Sequence, residues 1–288
     1  MEDLLRPIYQ EVASHSKTLG IILIERRRPE NPSTDNFDVI LFVIVKEHES
    51  TTSLKHYQLE SGKKAALKVV EVVKLDQWLK LGSNRKVYDW ILGGKVLFER
   101  NEFITELKQT LLDFPLNDRK KRIGLEFAKL IRRYTEGKEL FELGHLLDAY
   151  NHIVHALHHL ARLSIIDHGL HPEITVWNQV RRIEPEVFKL YQELVESDEP
   201  LAKKLELLLL ASEFLVNSST KTGSLHLIEV LSKKEGWTIQ ELSTHPEVAD
   251  YSVDFDALLV FLIERKLVQV TLEETKGQGI FRRIYRSN

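Results

Sequence analysis

The stretch that most constrains this chain runs from Thr18 to Lys46, TLGIILIERRRPENPSTDNFDVILFVIVK. It holds two apolar segments, Gly20–Ile24 and Val39–Val45, joined by a polar loop that contains Pro29 and Pro32. Proline breaks regular structure in such a loop. Val39–Val45 is apolar at every position. A strand exposed on one side alternates, so this one reads as a central strand buried on both faces. Asn36 and Asp38 stand two residues apart at its head. In an extended chain they point to the same side, whereas Asp35 points away from Asp38.

The chain has 288 residues, which predicts two or three domains. With a net charge of -3, a globally basic nucleic-acid binder is not indicated. There are no cysteines, hence no disulfide framework and no thiolate zinc site. The N-terminus lacks the basic and apolar regions of a signal peptide. No apolar run reaches ~18 residues, so a transmembrane helix is not expected. The composition reads as a soluble, cytoplasmic protein without membrane partners.

The first 115 residues predict a small mixed sheet with helices. Leu4, Leu5, Ile8 and Val12 lie on one helix face. Lys55–Glu60 and Lys63–Val73 read as strands joined at Ser61-Gly62, a hairpin signal. Leu75–Leu81, Arg85–Leu92 and Glu102–Leu112 read as helices, with a short strand at Val96–Phe98. Residues 116–220 change to long helical periodicity, with helices at Arg119–Tyr134, Leu140–Ile166, Pro185–Glu196 and Pro200–Phe214. Short links between long amphipathic helices imply a bundle. The polar stretch SSTKTGS (218–224) reads as a linker. Residues 221–288 give helices over 225–234, 238–244 and 254–266, then strands Leu267–Leu272 and Ile280–Tyr285, the order of a winged helix. The fold class is therefore α+β.

Four groups of residues could carry chemistry. Asp38 is placed as a hard-metal ligand, since Mg²⁺ is held by one or two carboxylates plus substrate phosphates; it equally suits capping the strand or holding the loop. Arg26-Arg27-Arg28 offers guanidinium forks to phosphate oxygens, or is a solvated charge run offset by Glu25 and Glu30. His145, Asp148, His152, His155 and His159 recur at spacings of three and four along one helix face. They could serve metal binding or acid–base work, or act as hydrogen-bonding core groups. In the tail, Asp254 and Asp256 open the recognition-helix position and would face phosphates badly. The basic residues Lys276, Arg282, Arg283 and Arg286 lie on the wing side, which leaves a nucleic-acid or a protein partner open.

This arrangement resembles the nucleotidyltransferase superfamily of kanamycin nucleotidyltransferase and DNA polymerase beta. Aligned on Asp38, that superfamily's Gly-Ser falls at Glu25-Arg26 and the first acid of its Asp-x-Asp falls at Asn36, with nine residues between Arg26 and Asn36. The resemblance implies a third carboxylate at Glu71, in LKVVEVV. It also implies Mg²⁺ held by Asn36, Asp38 and Glu71, with Asp38 and Glu71 catalytic. Nucleotide contacts are implied at Arg26 and Arg27, and at Asp148 and His152 on the bundle. Glu71 shares a predicted strand face with Leu67, Val69 and Val73, where an acid must be paired, metal-bound or turned to water at an edge. The phrases WILGGKVLFERNEFI (90–104), HALHHLARL (155–163) and VWNQVRRIEPEVFKLYQELVES (176–197) are similar to a family of nucleotidyltransferase-like proteins of Bacillus and its relatives.

Two functions follow from the resemblance. One is transfer of a nucleoside monophosphate from a nucleoside triphosphate to a hydroxyl acceptor. The other is a catalytically inactive nucleotide- or nucleic-acid-binding regulator. Both motifs depart from the superfamily pattern. Glu25-Arg26 cannot approach phosphates as glycine does, and Asn36 brings no negative charge.

Overall fold

The computed structural model describes residues 2–26, 34–47 and 52–288. The chain forms two compact units. The first comprises the residues up to Pro115 together with His171–Thr175, and the second comprises Leu116–Leu170 and Val176–Asn288.

The first unit is a five-stranded mixed sheet with helices on both faces. Its strands are β1 (Thr18–Glu25), β2 (Val39–Val45), β3 (Thr52–Gln58), β4 (Lys64–Glu71) and β5 (Lys95–Glu99), in the order β3-β4-β2-β1-β5. β2 runs antiparallel to β1 and parallel to β4, while β3 and β5 form the edges. All seven residues of β2 are buried, as its unbroken apolar run requires. Ile40, Phe42 and Ile44 face a layer made with α2 (Val72–Leu81), α3 (Arg85–Gly93) and α4 (Phe103–Asp113). Val39, Leu41, Val43 and Val45 face α1 (Glu2–Ser14) through Leu5, Ile8, Tyr9 and Val12. Each such side chain stabilises the fold by about 1.5–3 kcal/mol relative to exposure. An acid anywhere in β2 would therefore break the sheet from one face or the other. The β3–β4 hairpin turns at Gly62, whose φ of 79° explains the glycine.

The second unit is helical and ends in a helix-turn-helix with a strand hairpin. Its long helices are α5 (Leu116–Glu142), α6 (Leu146–Asp167) and α9 (Leu201–Leu231), with α7 (Val176–Ile183) and α8 (Pro185–Glu196) between them. α10 (Ile239–Thr244) and α11 (Phe255–Glu264) follow, then the antiparallel strands β6 (Val268–Glu274) and β7 (Phe281–Ser287). Thr238 and Glu241 close a capping box at the start of α10. A backbone bridge from Trp237 to Tyr285 ties the hairpin to the helices.

Three local expectations need correction. The predicted linker 218–224 is interior to α9. Its small residues pack rather than flex: Thr220, Gly223 and Ser224 are buried, and the Thr220 hydroxyl donates to the Val216 carbonyl at 2.8 Å. The predicted helix Leu140–Ile166 is two helices, because Gly144 adopts φ 81° between α5 and α6. Finally, the strand expected to run to Val73 ends at Glu71, and Val72 and Val73 open α2.

Candidate functional site

The head of β2 is organised by a turn. The Phe37 amide donates to the Thr34 carbonyl at 3.1 Å, which places Asp35 and Asn36 at the two central positions. Asp35 takes φ 55°, a left-handed conformation that aspartate tolerates better than most residues. Asn36 is exposed in this turn. Asp38 is half-buried, and its backbone joins the neighbouring strands: its carbonyl accepts from the Arg26 amide and its amide donates to the Lys64 carbonyl, each at 2.9 Å. Its side chain caps β4, with Oδ2 accepting the Lys64 amide at 2.8 Å. Arg26 is exposed at the end of β1, opposite Asp38. Arg27 lies outside the described residues.

The strand register does not bring Glu71 to this place. β2 and β4 run parallel, pairing Val39 with Ala65 and Val45 with Glu71. Asp38 stands beside Lys64 at one end of β4, and Glu71 closes the other end. At about 3.3 Å per residue, the seven steps between them span roughly 20 Å. Glu71 instead holds the N-cap position of α2, with no side-chain capping bond. A divalent ion needs oxygen ligands within about 2.0–2.6 Å, so Asn36, Asp38 and Glu71 do not fit one Mg²⁺ ion or a close pair. Among the described residues, no three acids or histidines gather as a metal-holding group.

The acid that is engaged here is Asp35, and its partners are lysines. Lys68 Nζ lies 3.2 Å from Asp35 Oδ2, and Lys86 at the start of α3 pairs with Oδ1. The Lys86 contact, burial working against it, and then Lys68 together hold the Asp35 carboxyl below its usual range. Lys68 also sits 4.9 Å from the centroid of the Trp90 ring, a cation–π contact. Its side chain is 25% exposed and that of Lys86 is 30%, so both are half-sheltered cations converging on one carboxylate. A phosphate oxygen offers the same contacts as that carboxylate. Sequence reading passed over both lysines. The signal was Lys68 itself, the one charge inside the otherwise buried AALKVV stretch of β4.

Asp148 and His152 belong to the second unit, Asp38 and Arg26 to the first. Asp148 is exposed in the first turn of α6, where it suits the helix dipole. His152 Nδ1 lies 2.9 Å from Glu136 Oε2 of α5. The contact is off the hydrogen-bond direction, since neither atom has a hydrogen-bonding partner among the described residues. Two helical turns on, His159 Nδ1 meets the buried Glu126 at 2.8 Å. The histidine row is therefore split: His145 and His155 are exposed, while His152 and His159 face a polar seam along α5 and α6, in line with their reading as polar groups packed against a neighbouring helix.

The mixed sheet with its helices, the helical part and the terminal helix-turn-helix define a nucleotidyltransferase-like protein. Three families match in succession: "Nucleotidyltransferase-like" over residues 1–119, "YgxA-like substrate binding domain" over 120–219 and "Helix-turn-helix domain" over 225–287. The chain belongs to the YgxA-like family of nucleotidyltransferase-like proteins. It is 51% identical over 285 residues to YgxA of Bacillus subtilis (strain 168), covering 99% of this chain and 97% of that protein. It is also similar to a nucleotidyltransferase-like protein from Exiguobacterium sibiricum 255-15 known from its crystal structure. There the TM-score is 0.84 and the identity 39%, with 100% of this chain and 99% of that one covered. No helix among the described residues is long and apolar enough to cross a membrane.

Proposed function

We propose that this protein is a nucleotide-responsive regulator that keeps the nucleotidyltransferase scaffold for binding and does not transfer nucleotides. One observation carries the reading: Lys68 and Lys86 converge on Asp35 at the head of β2, while β4 carries Glu71 to its far end. The nucleotide's phosphates take the place of the Asp35 carboxylate on these lysines, with Arg26 at the rim. The same groups give no assembly of carboxylates for a metal-assisted displacement. The rest of the chain supplies an output. α9 runs without interruption from the helical part into the helix-turn-helix, and Arg132 of α5 pairs with the buried Asp254 just before α11. A ligand that shifts the helical part therefore shifts the helix-turn-helix with it.

The partner of that output meets an uneven surface. The exposed side of α11 carries Asp256 and Glu264, which repel phosphates. Arg282, Arg283 and Arg286 are exposed on β7. Nucleic acid would be met by the hairpin rather than by α11, and a protein partner by α11.

Asp38 favours the transfer reading, since it stands where the superfamily places a ligand. One experiment separates the two. The protein is incubated with labelled nucleoside triphosphates, Mg²⁺ or Mn²⁺, and pooled RNA or small hydroxyl acceptors, beside an Asp38→Ala variant. The expected result is nucleotide binding without incorporation. Incorporation that disappears in the variant would overturn the regulator reading in favour of transfer.

A further inference from the structure

The polar seam between α5 and α6 is not charge-balanced. Along α5 it presents Glu126, Lys129, Arg133 and Glu136, and along α6 His152, His155, His159 and Arg162. Both sets recur at three- and four-residue spacing, so each forms one stripe. Glu126, buried, is shared by one imidazole and two cations: His159 at 2.8 Å, Lys129 at 3.2 Å and Arg162 at 3.8 Å. Glu136 is shared by His152 at 2.9 Å, Arg132 at 3.6 Å and Arg133 at 3.7 Å. Asp254 takes a further share of Arg132. Two carboxylates and part of a third thus face four fixed cations and three histidines. The surplus gathers around His155, the exposed member of the α6 stripe. Its pKa is lowered by partial burial, then by Arg133, His159, His152 and Arg162. Two turns further along α6, the Nε of Arg162 is buried with no hydrogen-bond partner among the described residues. A buried guanidinium donor left without an acceptor is expensive, and an arriving anion would supply the acceptor.

We propose that this face, centred on His155 and flanked by Arg133 and Arg162, is a second anion site that binds a phosphate or polyphosphate group of a ligand other than the nucleotide held by Lys68 and Lys86. Arginine forks match the tetrahedral oxygens of a phosphoryl group, and its double charge meets a surplus that a single carboxylate would leave unmet. The site lies within the residues matching a substrate-binding domain. It goes beyond the proposed function and does not rest on it. It makes no use of Lys68, Lys86 or Asp38.

The test uses the full chain and inorganic tripolyphosphate. Binding is measured by calorimetry, and the His155 ring is followed by NMR through a pH titration with and without the anion. Arg133→Gln and His155→Gln are the variants, because neither residue touches the buried Glu126 in the contacts above. Arg162→Lys serves as a third, keeping the charge and losing Nε. The expected result is about tenfold weaker binding in each, the scale of one charge-assisted contact, and a rise of the His155 pKa when tripolyphosphate is bound. Unchanged affinity in both glutamine variants, or a His155 titration indifferent to the anion, would overturn the site. If Lys68→Met alone abolishes binding, this site falls and the nucleotide reading survives. If Arg133→Gln abolishes binding while nucleoside triphosphates do not bind through Lys68, the nucleotide reading falls and this site stands.

Discussion

Lys68 reaches across the head of the sheet to Asp35, Nζ to Oδ2 at 3.2 Å, from a strand position where every near neighbour is apolar. Lys86 closes the other side of the same carboxylate. Asp35 is ionised at neutral pH, because both lysines hold its carboxyl below the usual range. It therefore competes with any phosphate for the two ammoniums. Asp35→Asn is expected to strengthen ATP binding at pH 7 by about tenfold, and Lys68→Met to weaken it by a similar factor. Calorimetry on the two variants checks this. Equal affinities in wild type and both variants would remove these lysines from the nucleotide site.

Gly223 of α9 faces the ring of Phe127 on α5. A Cβ at Gly223 would stand 2.2 Å from Phe127 Cγ and within 2.6 Å of both neighbouring ring carbons. Phe127 is fully buried, so the ring has little room to retreat. Gly223→Ala improves helix propensity by about 1 kcal/mol, but overpacking a filled core costs about 1–3 kcal/mol, and the clash involves a whole ring. The variant is expected to melt lower than wild type. Adding Phe127→Leu should recover part of the loss, which a double-mutant cycle by urea unfolding would register.

That contact also shows what local pattern reading can and cannot reach. Val39–Val45 was legible as a central strand because its apolar run has one physical explanation. SSTKTGS reads as a linker by composition, yet it is helix, because tertiary packing against Phe127 selects small residues there. α7 has only eight residues, VWNQVRRI, too few for periodicity to separate it from a connection. The place of Glu71 depended on strand direction. Its spacing suited a third ligand, but the parallel pairing of β2 and β4 is long-range information that no local window holds. Lys68 and Glu126 were visible as lone charges in apolar runs, and only the fold says what each one meets.

Asp89 on α3 predicts a pH dependence of stability. It is half-buried, and burial followed by the nearby Glu173 raises its pKa to about 6. Glu173 belongs to the 171–175 segment of the first unit, whose His171 ring lies between Tyr88 and Phe114. The folded pKa exceeds the unfolded value, so the folded state holds the extra proton between about pH 4 and 6. Stability from this group is present below pH 4 and falls as pH rises to about 6. Above that, the ionised carboxyl is a penalty of up to about 3 kcal/mol. Asp89→Asn is expected to raise the melting temperature at pH 7.5 and to change it little at pH 4. A variant that is no more stable at pH 7.5 would show that the carboxyl is already relieved by solvent.

Glu126 is the opposite case. It is buried, and although burial opposes ionisation, the contacts with His159, Lys129 and Arg162 prevail and hold its pKa well below the ordinary carboxylate range. Its stabilising effect is therefore complete above that range and is lost only as pH falls through the depressed folded value. Glu126→Gln keeps the shape and removes the charge, which strands Arg162 and His159 in the α5–α6 seam. Breaking one side of a buried charge network costs about 3–5 kcal/mol. Urea unfolding at pH 7 should show a loss of that size. At pH 7 the same substitution combined with His159→Gln should cost less than the two single losses added, because each removes the other's partner. A single-variant loss below about 1 kcal/mol would mean that solvent reaches the seam and that Glu126 does not anchor it.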